Sequence, residues 1–227
     1  MVVAADAREQ MLINLSLRGA FAAFSPLALE GRALRAQAAR VEAIPPGAAI
    51  SLYMHVPFCR RLCWFCACRT QGTQSDAPVR AYADVLIQEL ALLKAHLAPG
   101  VTLSRLHWGG GTPTLMPPDM MRRVAGAVFD AFPLAPGAEF SVEIDPNEID
   151  EARMDALAEA GLTRASIGIQ DFDPAIQATI GRDQSFEVTA EAVRMIRARP
   201  VLFLLGGRGR HPVEPHPPER VGPRPAR

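Results

Sequence analysis

Ile50-Ser51-Leu52-Tyr53-Met54-His55-Val56-Pro57 reads as a β-strand, and it runs through Phe58 into Cys59-Arg60-Arg61-Leu62-Cys63-Trp64-Phe65-Cys66-Ala67-Cys68, which holds all 4 cysteines of the chain. Gaps of three, two and one residues between the cysteines are metal-ligand spacing, since a short loop can fold its thiolates round one soft centre. A disulfide framework would spread them out. Two centres suit the run. Zinc is one, although structural zinc sites usually bring paired knuckles from two separated segments and the sequence offers no second knuckle. An iron-sulfur cluster, with one cysteine on each iron, is the other. If Cys59, Cys63 and Cys66 alone bind a cubane, one iron keeps a corner for a small molecule. Core cysteines without a metal are the weakest reading, because such residues do not normally arrive clustered with two arginines among them.

The composition narrows the class. With 227 residues, 49% of them hydrophobic, one domain with a sizeable core is feasible. A net charge of zero argues against a nucleic-acid partner. Neither an apolar run of membrane-spanning length nor a secretory leader stands out, so a cytoplasmic location without membrane contact is expected, where free thiols and clusters persist. Lys94 is the only lysine, and nearly all positive charge is arginine.

Residues 1–45 are expected to form a helical extension, with Leu27, Leu34 and Val41 available to face a core, before Pro45-Pro46-Gly47 breaks the chain. Beyond it, strand-like segments at 50–56, 104–108, 139–144 and 164–169 alternate with helix-like segments at 78–97, 117–131, 150–160 and 185–198. Tyr82, Val85, Leu86, Leu90 and Leu93 carry the spacing of the first helix. Pro117-Pro118-Asp119 opens the second, while Asp150 caps and Gly161 ends the third. This alternation predicts an α/β fold with a parallel sheet, and about four βα units fit the first part of a barrel.

In such a barrel the active site lies where the strands end. Cys59 follows the first strand, His107-Trp108-Gly109-Gly110-Gly111-Thr112-Pro113 follows the second, Glu143 and Asp145 end the third, and Gln170 ends the fourth. The glycines either make a tight turn or let a ligand approach the backbone. Glu143, between apolar Val142 and Ile144, faces the opposite side from them and needs a cationic or hydrogen-bonding partner, either a ligand group or a nearby arginine.

The C-x3-C-x2-C run resembles that of the radical S-adenosylmethionine (SAM) superfamily, in which SAM chelates the open iron of a [4Fe-4S] cluster. More closely, Tyr53-Met-His55-Val-Pro57-Phe58-Cys59, Cys66-Ala-Cys68, His107-Trp108-Gly-Gly-Gly-Thr112-Pro113 and Ser166-Ile-Gly168-Ile-Gln170-Asp171-Phe172 together resemble the oxygen-independent coproporphyrinogen III oxidases, from about residue 46 to 197. The resemblance implies the N-terminal part of a partial (β/α)6 TIM-like barrel. It implies a 5'-deoxyadenosyl radical that abstracts hydrogen from propionate side chains of coproporphyrinogen III, giving protoporphyrinogen IX with loss of carbon dioxide, in haem biosynthesis. It places the cluster on Cys59, Cys63 and Cys66. Tyr53, Gly110 and Glu143 would contact a first SAM, and Phe65, Gly111, Thr112, Gln170 and Arg182 a second. Cys68 would stand near the substrate as a catalytic residue, or be a passive loop residue. Arg182 would pair its guanidinium with a SAM carboxylate, and Arg60 and Arg61 would attract propionates or be solvated. A reducing donor such as flavodoxin or ferredoxin and a monomeric state follow from the same resemblance. Two alternatives stand beside it: a haem chaperone-like relative, which Cys68 and the Trp64-Phe65 pair disfavour, and a redox-inert zinc module.

Two stretches depart from the family pattern. Ile13-Asn-Leu-Ser-Leu-Arg-Gly19 stands where a tyrosine- and threonine-rich stretch is usual. After a radical SAM core at 46–199, residues 200–227 form a Pro/Arg/Gly-rich tail with the composition of a disordered segment, where a fifth strand is usual. A frameshift in a GC-rich gene or a genuine basic tail both account for it, and either way an inactive, aggregation-prone fragment is expected, with residues 201–205 as a makeshift fifth strand.

Overall fold

The computed structural model describes residues 2–3, 12–14, 39–66 and 68–206. In chain order the strands are β1 (Val2–Val3), β2 (Leu12–Asn14), β3 (Ala49–Val56), β4 (Phe58–Cys59), β5 (Gln71–Gly72), β6 (Thr102–Gly110), β7 (Leu134–Ile144), β8 (Arg164–Gly168) and β9 (Leu202–Gly206). Helices α1 (Ala77–His96), α2 (Pro118–Ala131), α3 (Glu151–Glu159), α4 (Pro174–Ile180) and α5 (Phe186–Arg197) lie between them. The main sheet has the order β1-β2-β3-β6-β7-β8-β9, and every neighbouring pair from β2 onward is parallel. From β3 to β9 each strand of this sheet lies beside the one that precedes it in the sheet, without the reversal of order that marks a doubly wound sheet, while β4 and β5 pair separately. That is the strand order of a barrel wall.

One face of this wall is apolar because alternate residues point the same way. Leu52, Met54, Leu106, Trp108, Phe140, Val142, Ala165 and Ile167 are all buried there. The helices cover them with Leu86, Leu90, Met121, Val124, Val128, Met154, Leu157, Met195 and Ile196, also buried. Burying one such Leu, Met or Val contributes about 1.5–3 kcal/mol, so this seam holds the fold together. The intervening residues Tyr53, His55, His107, Ser141, Glu143 and Ser166 occupy the other face.

The sequence expectations for the four strands and four helices match within a few residues. Asp150 accepts a hydrogen bond from the Arg153 N–H at 2.7 Å, and Gly161 takes φ +84° just beyond α3. Helix α4 was not foreseen. It buries none of its residues, so it leaves no hydrophobic periodicity, and its signals are Asp173 accepting from the Ala175 and Ile176 N–H groups and Gly181 at φ +69°. The helical reading of the N-terminal extension is corrected at β1 and β2, where the pairing of β2 with β3 and of β1 with β2 wins over local helix preference. Leu27 and Leu34 lie outside the described residues, whereas Val41 is buried as expected. Residues 202–206 pair in parallel with β8, as the fifth-strand reading anticipated, and 207–227 lie outside the described residues. Among the described residues no helix is long and apolar enough to cross a membrane.

Candidate cluster and SAM site

The cysteine run is a loop tied off at its neck. β4 and β5 pair Phe58 with Gln71 and Cys59 with Gly72, and the Thr73 N–H donates to the Cys59 carbonyl at 3.0 Å. On its far side the Trp64 N–H donates to the Ile180 carbonyl at 3.0 Å, fixing the loop to the end of α4. Trp64 lies over Gly181, where an alanine Cβ would come within 2.8 Å of the indole. Phe65 is 48% exposed, in keeping with its expected absence from the core.

Each of the three candidate ligand sulfurs faces a hydrogen-bond donor. Thr112 Oγ1 lies 3.6 Å from Cys59 Sγ, Arg182 Nη1 lies 3.8 Å from Cys63 Sγ, and the Cys68 N–H donates to Cys66 Sγ at 3.4 Å. Burial pushes the Cys59 thiol above its ordinary value, against the lowering effect of Thr112 and Thr70. The Cys68 thiol is pushed up to about 11, by burial first and then by Cys66 and the Glu143 charge. Among the described residues no three His, Cys, Asp or Glu side chains converge on a point as one metal ion requires. Three thiolates on one short loop are the soft donor set that an iron-sulfur cubane takes, each cysteine on a different iron.

Beside the loop, the polar face carries a hydrogen-bonded row. His55 Nε2 donates to the Arg69 carbonyl at 2.7 Å, which leaves Nδ1 to accept the Tyr53 hydroxyl at 3.0 Å. Tyr53 is stacked on His107 with ring centroids 5.5 Å apart. His107 Nδ1 meets Ser141 Oγ at 2.8 Å, and its Nε2 lies 3.6 Å from Glu143 Oε1. Glu143 Oε2 accepts the Gly110 N–H at 3.0 Å. Burial pushes the Glu143 carboxyl up, but the His107 contact, the Gly110 N–H and the nearby histidines together hold it below its usual range. Tyr53 is raised far above its ordinary value by burial and the Glu143 charge, so it stays a phenol. The partner anticipated for Glu143, a ligand group or an arginine, is within the protein a histidine.

The glycine run is explained by close packing. A Cβ at Gly109 would reach 2.9 Å from His107 Nε2, at Gly110 2.5 Å from His55 Nδ1, and at Gly111 2.5 Å from the Phe58 carbonyl oxygen. Those missing side chains let the cysteine loop and the polar row lie against the end of β6.

A cavity of about 360 Å³ opens between the loop and the strand ends, lined among others by Arg60, Cys63, Thr112, Asp145, Glu148 and Arg182. Arg182 is held on several sides: its Nε donates to Gln184 Oε1 at 2.6 Å, its Nη2 to the Gly168 carbonyl at 3.0 Å, and Nη2 lies 3.5 Å from Asp145. The expected bidentate pairing with a ligand carboxylate therefore competes with internal partners. Arg60 pairs with Asp76, and Arg61 lies 3.4 Å from Asp183.

Residues 53–214 match the radical SAM superfamily. The chain belongs to the radical SAM superfamily. Over 164 residues, 72% of this chain and 36% of the relative, it is 80% identical to the oxygen-independent coproporphyrinogen III oxidase of Paracoccus denitrificans. It is 65% identical over the same length to the protein of that name from Cereibacter sphaeroides. Among solved structures, the radical SAM enzyme coproporphyrinogen III oxidase of Escherichia coli aligns with TM-score 0.67 and 35% identity over 72% of this chain and 37% of that one. The radical SAM chain thus spans about a third of the length of these relatives.

Of the residues expected at the site, Cys59, Cys63, Phe65, Cys66 and Cys68 lie on the loop, Tyr53, Gly110, Gly111, Thr112, Glu143 and Gln170 lie on or just past β3, β6, β7 and β8, and Arg182 lies just past α4. His107, Ser141 and Gln184 were missed as site residues. His107 stood in a quoted motif, but nothing local marks Gln184, which is 2% exposed and reaches Arg182 only through the fold.

Proposed function

We propose that this chain carries the cluster- and SAM-binding portion of an oxygen-independent coproporphyrinogen III oxidase, within a radical SAM core at 46–199 flanked by an extension at 1–45 and a tail at 200–227. The observation that carries the reading is the three-cysteine loop, closed by β4 and β5 and set against the glycine run of β6 and Glu143. Cys59, Cys63 and Cys66 would hold a [4Fe-4S] cluster. When bound, that group supplies the electron that cleaves SAM to a deoxyadenosyl radical, which takes hydrogen from a propionate of coproporphyrinogen III.

The chain's own residues bind and orient. Glu143, a carboxylate at neutral pH, has lone pairs left for ribose hydroxyls or an ammonium of a first SAM. Gly110 gives its N–H to Glu143, so it meets that ligand through its bare Cα or its carbonyl. Tyr53, fixed by His55 and His107, would border the same first SAM. Phe65 offers an exposed aromatic face to a second SAM, where a sulfonium gains cation–π attraction, with Gly111, Thr112, Gln170 and Arg182 around it. Cys68 stands toward the substrate. A flavodoxin- or ferredoxin-type donor, a monomeric state and a cytoplasmic location complete the reading.

Anaerobic reconstitution with iron and sulfide, followed by SAM and dithionite, tests it. The expected result is bound iron and sulfide in equal amounts and an electron paramagnetic resonance signal altered by SAM, while deoxyadenosine release above a Cys63→Ala control would overturn the inactive-fragment expectation. Iron loading should survive Cys68→Ser and fail in Cys63→Ala. Reconstituted protein that holds no iron, or holds it with no spectroscopic response to SAM, overturns the proposal.

A further inference from the structure

The three donors to sulfur differ in kind. Cys66 receives a backbone N–H, Cys59 a threonine hydroxyl and Cys63 an arginine N–H. Thr112 is 3% exposed and the Arg182 side chain 13%, so two of the three contacts sit where water competes poorly. Arg182 is also aimed: Gln184 holds its Nε and the Gly168 carbonyl its Nη2, which leaves Nη1 directed at Cys63.

We infer that Thr112 and Arg182 are tuning residues that raise the reduction potential of the cluster through the sulfurs of Cys59 and Cys63. Reduction adds one electron, and the added negative charge spreads onto the ligand sulfurs. A donor facing a sulfur stabilises the reduced state more than the oxidised one, and hydrogen bonds to sulfur are one of the terms that set such potentials. Arg182 adds a full positive charge in a poorly solvated place, so it acts more strongly than the neutral hydroxyl. Asp145, 3.5 Å from Nη2, opposes it. The two side chains on this arginine line therefore push the potential in opposite directions. This inference rests on the cysteine assignment of the proposed function, and it adds to the SAM contacts given to the same two residues.

The experiment is a redox titration of the reconstituted full chain followed by electron paramagnetic resonance, without SAM so that ligand contacts play no part. Thr112→Val and Arg182→Gln should both lower the midpoint potential, the second by more, with Arg182→Lys between Arg182→Gln and the parent. Asp145→Asn, which keeps an oxygen for the Asn147 N–H, should raise it. General loosening of the loop would not produce shifts of opposite sign. Potentials in Thr112→Val and Arg182→Gln at or above that of the parent, or a lowered potential in Asp145→Asn, overturn the inference. Should Arg182→Gln fail to load iron, Thr112→Val and Asp145→Asn still decide it. A parent protein that binds no cluster removes the proposed function and this inference with it, whereas a loaded parent with unmoved variants removes the inference alone.

Discussion

Replacing Gly110 by alanine asks whether the glycine run serves the protein's own packing. The new Cβ would lie 2.5 Å from His55 Nδ1 and 2.6 Å from its Cε1, at a backbone φ of +114°. His55 cannot swing aside freely, because it is held by the Tyr53 hydroxyl at 3.0 Å and the Arg69 carbonyl at 2.7 Å. The backbone conformation costs an alanine about 1–3 kcal/mol. Displacing the imidazole forfeits two hydrogen bonds, about 1–3 kcal/mol more. The sum of about 2–6 kcal/mol is a large part of the 5–15 kcal/mol typical of a domain. Gly137→Ala is the control, since it has φ +74° with nothing within 4 Å of the added atom and so meets only the backbone cost. Urea unfolding should show Gly110→Ala less stable than Gly137→Ala by about 1–3 kcal/mol at an unchanged slope. In a His55→Ala background that extra cost should vanish, which makes the pair a double-mutant cycle with a defined sign. Equal losses for the two glycine variants, or an undiminished cost without the imidazole, would refute the packing argument.

Two further outcomes follow from the same geometry. Gly126 is exposed within α2 with open space where a Cβ would go, so Gly126→Ala should stabilise by about 0.5–1 kcal/mol in the same assay, and a loss would contradict that open space. Glu143 has a folded-state carboxyl held below its usual range, burial notwithstanding, by His107 and the Gly110 N–H. Its contribution is therefore present above the unfolded carboxyl value of about 4.3 and lost as pH falls through the lower folded one. The gap in unfolding midpoint between the parent and Glu143→Gln should be level at neutral pH and close on acidification, and a gap that widens toward low pH would be incompatible with this sign.

The elements whose residues repeat with a clear period were legible in the chain. Tyr82, Leu86, Leu90 and Leu93 marked α1, and the alternation Leu52, Tyr53, Met54, His55 marked β3 with one face for the core and one for the site. Helix α4, with no buried residue, and the two-residue pairing of β4 with β5 had no such pattern to betray them. At the site, the cysteine spacing and the His107 to Pro113 motif pointed to the rim where the strands end, and the glycines were open to a tight-turn reading and a ligand reading. Only the approach of His55 and of the Phe58 backbone showed that the protein's own packing needs them as well.

By itself the sequence determined an α/β wall with its chemistry at the strand ends, because side-chain periodicity and ligand spacing are local properties written into consecutive residues. The tertiary structure alone decided that Glu143 meets His107, that Arg182 turns toward Cys63, and that Gln184 holds it there. These partners are separated by 36, 119 and 2 positions respectively, and their pairing depends on how strands and loops are brought side by side. Even the two-residue pair needs the turn after α4 that carries Gln184 into the interior, which no local pattern announces.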